Sequence, residues 1–152
     1  MNEIITMRRE AMLELLDEFF DRRPEHVFIM DLVPTGESTI FCMYPDSEFL
    51  VEHTFATFLD DIKTKTSKEG EQGVTKENAD QMLNFIFKIR NLELERNKKL
   101  VVVCNDGLSV SGAVAQWAMD WLMDDEAEFN RLNPDIKPNE FLQYDLYLHP
   151  II

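Results

Sequence analysis

Apolar residues recur at helical spacing from the start of the chain. The pattern comprises Ile4, Ile5, Ala11, Met12, Leu15, Leu16, Phe19 and Phe20. Residues three or four positions apart share one face of a helix, and the pattern stops before Pro24, which a helix interior does not tolerate. The spacing therefore predicts an amphipathic N-terminal helix over residues 1–23.

Three segments then have the apolar and β-branched composition of strands. They are residues 26–34 (HVFIMDLVP), 38–44 (STIFCMY) and 53–62 (HTFATFLDDI). Proline and glycine punctuate the first two segments, which is typical of strand ends. The polar residues 63–73 (KTKTSKEGEQG) follow and predict a mobile surface loop.

The second half of the chain alternates helix, strand and helix. Thr75 and Asn78 have the spacing of a helix N-terminal cap. The broad apolar face behind them consists of Ala79, Met82, Leu83, Phe85, Ile86 and Ile89. The later predicted elements are a buried strand at 99–105 (KLVVVCN), a core helix at 112–123 (GAVAQWAMDWLM) that includes Trp117 and Trp121, and helices at 124–131 and 139–148.

This order of elements indicates the α/β class, with a central, mostly parallel sheet flanked by helices. At 152 residues the chain is long enough for one hydrophobic core and short for two. We therefore predict a single domain over residues 1–152.

Charge limits the classes of function. The chain has 29 acidic and 15 basic residues, and its formal net charge is −14. Such a field repels nucleic acid and anionic membranes, so we expect neither as a direct ligand. It favours a basic protein partner or the imitation of nucleic acid, although acidic side chains often serve only to solvate a surface.

Several features that the sequence lacks limit the expected compartment and the expected ligands. No apolar run approaches the length of a membrane span, and the first residues do not read as a signal peptide, so we expect a soluble, cytoplasmic protein. Two cysteines and three histidines form neither a disulfide framework nor a metal pattern. We expect no metal and no cofactor, with Cys42 as a packing residue and His53 as an ordinary strand residue.

The segment from Cys104 to Gly112 carries most of the candidate chemistry. A strand that enters a Gly/Ser-rich loop and then a helix directs backbone N–H groups and the positive end of the helix dipole toward a small anion. A cysteine there would have its thiolate stabilised by the same groups. Alternatively, Cys104 is only a small buried residue at the end of a core strand.

These residues resemble the signature loop, H-C-x5-R-S/T, of the Cys-based protein tyrosine and dual-specificity phosphatases. The resemblance implies that Cys104 is in the nucleophile position and that Ser111 supplies the hydroxyl that helps the thiolate leave. The implied phosphate loop consists of Asn105, Asp106, Gly107, Leu108, Ser109, Val110 and Ser111. Val110 stands in the place of the arginine, and Val103 in the place of the histidine before the cysteine.

The resemblance covers residues 27–148 and concerns the small bacterial and phage members of the family. Residues 55–62 (FATFLDDI) resemble the segment that carries the general-acid aspartate, which implies that role for Asp61. Asp60 and the tripeptide 44–46 (YPD) are rivals for it. The tail at 133–143 (NPDIKPNEFLQ) is also similar, and a phage source would place the protein in the host cytoplasm.

Three functions remain open. Loss of the arginine removes a phosphate clamp and a transition-state contact, which typically costs about 3–4 kcal/mol. We therefore expect a pseudophosphatase that binds a protein partner, either basic or phosphorylated. The alternatives are an active cysteine phosphatase whose arginine comes from another segment, and an acidic inhibitor that imitates nucleic acid. The available arginines, none of which the sequence places over Cys104, are Arg8, Arg9, Arg22, Arg23, Arg90, Arg96 and Arg131. Asp106 would oppose phosphate unless its side chain points away.

Overall fold

A four-stranded, all-parallel sheet with the order β1-β4-β2-β3 forms the centre of the molecule. The computed structural model describes residues 1–42, 44, 46–63 and 70–148. Its elements are β1 (Glu3–Arg8), α1 (Arg9–Arg22), β2 (Val27–Val33), α2 (Glu48–His53), β3 (Thr54–Phe58), α3 (Lys76–Asn91), β4 (Lys99–Cys104), α4 (Val110–Leu122), α5 (Glu126–Leu132) and α6 (Glu140–Leu148). The chain is therefore one α/β domain, as the element order predicted, and the sheet is parallel throughout.

Strand β4 lies inside the sheet, as its continuous apolar sequence predicted. It pairs with β1 on one side, from Glu3 opposite Lys99 to Arg8 opposite Cys104, and with β2 on the other. All of its residues after Lys99 are buried, because the sheet is covered on both faces at this position. The strand ends with Cys104 at the carboxyl edge of the sheet.

Apolar side chains fill two layers, one on each face of the sheet. The larger layer lies under α3, α4, α5 and α6 and contains Phe28, Leu100 and Trp117. The smaller layer lies under α1 and α2 and contains Ile29 and Val101. Neighbouring residues of one strand thus face opposite layers, as the period of two in a strand requires. Trp117 is a core residue, as predicted, and Trp121 is partly buried beside the same layer.

The predicted helix over residues 1–23 is wrong at its start. Residues 3–8 form the edge strand β1, and helix α1 begins only at Arg9. Ile4 packs in the larger layer, whereas Met12 and Leu16 of α1 face the smaller one. Periodicity alone does not distinguish a short buried strand from a turn of helix, and pairing with β4 decides for the strand here.

The predicted strand at 38–44 is also wrong. Its described residues form turns, in which the Cys42 N–H donates a hydrogen bond to the Thr39 carbonyl oxygen. The buried carboxylate of Asp31 accepts hydrogen bonds from the Thr39 hydroxyl and the Ile40 N–H. This side chain satisfies backbone groups that a strand would have paired, and the unpredicted helix α2 follows.

Two residues in this region differ from their predicted roles. Cys42 is exposed and is not a packing residue. His53 is the last residue of α2, not a strand residue, and its buried ring stacks between Phe28 and Phe49. The histidine is therefore part of the packing beneath α2.

The second half of the chain follows the prediction closely. The Thr75 hydroxyl accepts a hydrogen bond from the Asn78 N–H, and the Asn78 side chain accepts one from the Thr75 N–H, which completes a capping box at the start of α3. Helix α4 begins slightly earlier than predicted, and α5 and α6 occupy the last two predicted helical segments. The predicted loop at 63–73 falls partly outside the described residues. Within those residues, no helix combines the length and apolarity needed to cross a membrane.

Candidate functional site

The loop after Cys104 lies at the carboxyl edge of the sheet, between the ends of β1 and β4. From β1 the chain continues into α1 on one face of the sheet, and from β4 it continues into α4 on the other. In open parallel sheets, neighbouring strands whose connections leave on opposite faces form a crevice where ligand sites are common. The loop after Cys104 therefore lies where the topology of the sheet forms such a crevice.

Gly107 allows the loop to turn tightly against its neighbour. Its φ is +71°, in the left-handed region that favours glycine. A Cβ at this position would lie 2.5 Å from the backbone nitrogen of Arg8. Conformation and space both require glycine here, and the close approach fixes the loop against the connection between β1 and α1.

Cys104 is buried, and polar groups surround its sulfur. The Ser111 N–H donates to Sγ at 3.3 Å, and the thiol lies 3.1 Å from Ser111 Oγ and 3.2 Å from Asp106 Oδ1. Burial raises the pKa of the thiol, the Ser111 hydrogen bonds lower it, and the Asp106 carboxylate raises it again. The balance of these effects holds the pKa of the thiol above its ordinary value, which favours the thiol over a nucleophilic thiolate.

The Asp106 side chain points into the loop rather than away from it. Its Oδ1 accepts hydrogen bonds from the N–H groups of Leu108 at 2.8 Å and Ser109 at 3.1 Å, as well as from the Cys104 thiol. Burial alone would raise the pKa of Asp106, but these hydrogen bonds outweigh it and hold the pKa below its ordinary value. An ionised carboxylate of the chain itself therefore binds N–H groups that a loop of this kind would otherwise offer to an anion.

Val110 packs into the core as the first residue of α4. It is only 5% exposed and belongs to the larger apolar layer. The loop from Cys104 to Ser111 contains no basic residue, so no cation of its own is available to a phosphate. Ser111 is fully buried and contacts the Cys104 sulfur, which is the position that the resemblance implied for its hydroxyl.

Arg9 approaches the loop from the start of α1. Its Nε donates to Asn105 Oδ1 at 2.9 Å, and its Nη2 donates to the Leu32 carbonyl oxygen at 3.0 Å. Its Nη1 lies 2.8 Å from Oδ1 of the fully buried Asp31, as an ion pair without hydrogen-bond geometry. Every nitrogen of the guanidinium is therefore engaged, and Arg9 joins the ends of β2 and β4 rather than offering a free cation.

Asp61, the predicted general acid, contacts the loop. Its Oδ1 accepts hydrogen bonds from the Ser109 hydroxyl at 2.8 Å and from Asn139 Nδ2 at 2.6 Å. Asn139 is buried and also donates to the Ile62 carbonyl oxygen at 3.0 Å. These bonds join the end of β3, the loop and the start of α6.

Asp60, the first alternative for the general acid, connects the segments that contain Thr35 and Gln72. Its carboxylate accepts hydrogen bonds from the N–H and hydroxyl of Thr35 and from the N–H of Gln72. Burial raises the pKa of Asp60, but these three bonds together lower it below its ordinary value. The carboxylate is thus held ionised by structural partners.

The second rival, the tripeptide 44–46, is only partly described. Tyr44 donates a hydrogen bond from its hydroxyl to Asp17 on α1, and this bond raises the pKa of the phenol. Pro45 lies outside the described residues. No hydrogen bond or ion pair links Tyr44 or Asp46 to the Cys104 loop within the described part of the chain.

An open cleft of about 420 Å³ adjoins the loop. Its lining includes Asp61, Lys63, Asp106, Ser109, Lys137 and Glu140. Acidic and basic side chains are mixed around it, so it lacks the concentration of cations that a phosphate monoester requires. The cleft is therefore a poor phosphate pocket, even with two lysines on its rim.

Asn139 is not among the predicted site residues, and Arg9 is one of seven arginines to which the sequence assigns no position. The contacts of these residues cross 78 positions from Asn139 to Asp61 and 96 positions from Arg9 to Asn105. Asn139 also caps α6 by accepting the Leu142 N–H. An asparagine just after Pro138 is a readable capping signal, but its second contact with Asp61 is not readable from sequence.

Comparisons with known proteins identify no relative of this chain. No protein-family model, curated protein or solved structure matches the chain. Across residues 1–42, 44, 46–63 and 70–148, no group of three or more His, Cys, Asp or Glu side chains is arranged to hold a metal ion. The function is therefore inferred from the arrangement of the chain's own residues.

Proposed function

We propose that this protein is a catalytically impaired member of the Cys-based phosphatase group that acts by binding a basic protein partner. The order of strand, loop and helix around Cys104 supports the phosphatase-like part of the proposal. The positions of Ser111 and Asp61 beside that loop support it further, since the resemblance implied both residues.

The contacts of the Asp106 carboxylate are the main evidence for the loss of catalysis. It binds two loop N–H groups and the Cys104 thiol, so a phosphate would have to displace a covalently attached anion from the same donors. The same contact keeps negative charge beside Cys104, which opposes formation of the thiolate. Phosphoryl transfer needs a nucleophilic sulfur and N–H donors open to the phosphate, whereas here the thiol pKa is raised and the Leu108 and Ser109 N–H groups are already bonded to Asp106.

The missing cation is the second obstacle to catalysis. Removing one preorganised transition-state contact costs about 3–4 kcal/mol, or roughly 100-fold to 1,000-fold in rate. Arg9 donates a hydrogen bond to Asn105 of the loop, but Asp31 and Leu32 hold the rest of its guanidinium. An active phosphatase whose arginine comes from another segment is therefore the less favoured function.

The acidic face of α1 supports a basic partner. Its exposed carboxylates are Glu10, Glu14, Asp17, Glu18 and Asp21. At about 100° per residue, these positions fall within an arc of about 100° around the helix axis. The carboxylates thus form one stripe rather than being spread around the helix, and a stripe of one charge favours a partner of the opposite charge.

The same stripe favours imitation of nucleic acid as a second candidate function. A linear array of carboxylates can occupy the cationic groove of a protein that binds DNA or RNA. The two candidates share a binding face and differ in the partner: an inhibitor of this kind would compete with nucleic acid, whereas a general basic partner would not.

Binding of a lysine-rich peptide, measured by fluorescence anisotropy, tests the role of this face. One variant neutralises the stripe (Glu10→Gln, Glu14→Gln and Asp21→Asn), and a matched variant neutralises exposed acids elsewhere (Glu52→Gln, Glu93→Gln and Glu95→Gln). We expect the stripe variant to bind about tenfold more weakly than the matched variant. Each exposed charge pair contributes little to binding, but the losses from three substitutions add. Equal affinity of the two variants would remove α1 as the docking face.

A further inference from the structure

An apolar groove lies between helix α1 and the edge strand β1, on the face of the sheet that carries the smaller layer. Its volume is about 440 Å³. Ile5 and Met7 of β1 pack against that layer but are only partly buried, whereas Ile4, on the other face, is fully buried. The two faces of β1 are therefore covered unequally. The apolar residues that α1 adds to the lining of the groove are Met12, Leu15 and Phe19.

Leu15 is the most exposed apolar residue of this groove. It is 44% exposed, although Met12 and Phe19 of the same helix are buried. One exposed leucine is common on a protein surface, but a contiguous apolar patch marks a site of interaction. Leu15 joins Ile5 and Met7 in such a patch, because all three line the same groove.

The charge beside the groove is negative. Glu18 belongs to the acidic stripe of α1 and also lines the groove. Of the two basic residues in the lining, Arg22 has its Nε 3.2 Å from Glu18 Oε1. The other, Lys99, has its Nζ 3.9 Å from Glu3 Oε2. These pairs balance each other locally, so the remaining carboxylates of the stripe set the sign of the charge.

We propose that this groove binds an amphipathic helix of the protein partner, with apolar side chains of that helix in the groove and its lysines or arginines against the acidic stripe. The inference rests on the proposed function, in which α1 docks a basic partner, and it names the structure of the docking segment. Apolar residues three or four positions apart form one face of a helix, and basic residues can flank that face. A single partner helix therefore meets the groove and the stripe at once.

The dimensions and side chains of the groove suit such a helix. On α1 the lining extends from Met12 to Arg22, which is about 15 Å at roughly 1.5 Å per residue. Met7 and Met12 lie in the groove, and unbranched thioether side chains adapt to apolar residues of different shapes. A partner segment of about 14 residues is therefore long enough to span the groove.

Charge disfavours a second copy of this chain as the occupant. Two copies that meet at this groove would bring two acidic stripes together, and the formal net charge of each copy is −14. A basic helix instead brings the opposite charge to the same place. The partner helix is therefore the occupant that the charges favour.

Two fluorescent peptides of about 14 residues test the groove by anisotropy. Both contain the same lysines and leucines. In one peptide the leucines share a helical face, and in the other they are scrambled around the helix. We expect wild-type protein to bind the amphipathic peptide about tenfold more tightly than the scrambled one, because only the former can place its leucines in the groove together. Equal affinity for the two peptides would overturn the inference.

Leu15→Ser and Leu13→Ser form a matched pair for the same assay. Both leucines are exposed on α1, Leu15 by 44% and Leu13 by 49%, but Leu13 lies outside the groove. Leu15→Ser should remove most of the preference for the amphipathic peptide, whereas Leu13→Ser and the apolar Leu15→Met should keep it. Circular dichroism establishes that each variant is folded. A preference that survives Leu15→Ser, or that is lost in Leu13→Ser, would exclude this groove as the binding site.

The scrambled peptide separates this inference from the proposed function. It contains the same lysines, so its weaker binding to the stripe variant reports on charge alone. If the scrambled peptide binds and the preference is absent, the groove fails and the proposed function stands; if neither peptide binds, both fail. Wild-type protein that sediments as a dimer, with Leu15→Ser as a monomer, would show that a second copy occupies the groove and would also overturn the inference.

Discussion

Asp106 determines the chemistry of the loop through a single carboxylate. Its Oδ1 binds the N–H groups of Leu108 and Ser109 and receives the Cys104 thiol, so three donors that could serve an external anion have an internal partner. Burial raises the thiol pKa first, and this carboxylate adds to the rise. The reactivity of Cys104 should therefore depend on the charge at residue 106.

We predict that Asp106→Asn lowers the pKa of Cys104. The amide oxygen can still accept the loop N–H groups, but the negative charge beside the sulfur is removed. The pKa should remain above its ordinary value because burial, the largest cause of the rise, is unchanged. The rate of alkylation by iodoacetamide as a function of pH, measured in a Cys42→Ser background, reports the shift.

Asp120→Asn is the matched control for this measurement. It removes one exposed carboxylate from α4 and makes the same change in net charge, without a contact to the loop. Its alkylation profile should match that of the parent protein. A profile for Asp106→Asn that does not move to lower pH would mean that the carboxylate does not control the thiol.

At the scale of elements, Asn133 connects α5 to the edge of the sheet. Its Oδ1 accepts the Thr6 N–H at 2.8 Å, and its Nδ2 donates to the Ile4 carbonyl oxygen at 2.8 Å and to the Phe129 carbonyl oxygen of α5 at 3.0 Å. The residue is almost fully buried, so removal of its amide leaves backbone groups of Ile4 and Thr6 without partners in a dry position. One side chain thus both closes the edge and fixes the last turn of the helix.

We predict that Asn133→Ala lowers the free energy of unfolding by about 2–3 kcal/mol, because it leaves buried donors and acceptors unsatisfied. Asn130→Ala, at an exposed position of the same helix, should change it by less than about 0.5 kcal/mol. Urea denaturation followed by circular dichroism measures both. Similar stability of the two variants would show that the edge of β1 does not rely on Asn133.

The elements that sequence predicted correctly are those with long, uninterrupted signals. The capping box at Thr75 and the apolar run of β4 each determine an element locally. The start of the chain and residues 38–44 were wrong because tertiary partners decided them: β4 recruits residues 3–8 as a strand, and Asp31 holds Thr39 and Ile40 in turns. The sequence of a short apolar segment does not show which tertiary partners it will have.

At the scale of the whole molecule, the sheet brings together site residues that are far apart in sequence. The sequence located Cys104, Ser111 and Asp61, because these follow from the loop and from the resemblance. It left open whether Asp106 points into the loop, since one rotamer decides that and no periodic pattern reports it. The bound position of Arg9 likewise depends on Asp31, a buried charge in a different strand.

The fold also bears on an arginine placed at position 110, where the resemblance implies one. Val110 is buried in the larger apolar layer, so a guanidinium at this position would enter the core or force α4 to shift. Asp106 would still occupy the loop N–H groups. Val110→Arg alone should therefore be less stable than wild type and should not gain phosphatase activity.

The loss of catalysis at Cys104 is tested by hydrolysis of p-nitrophenyl phosphate by wild-type protein and by Cys104→Ser, with Val110→Arg assayed in parallel. We predict the same background rate for all three proteins, because the thiol pKa is raised, the Leu108 and Ser109 N–H groups are bonded to Asp106, and residues 104–111 include no basic residue. Turnover by the wild type that disappears in Cys104→Ser would contradict this prediction and would show that Cys104 is an active nucleophile.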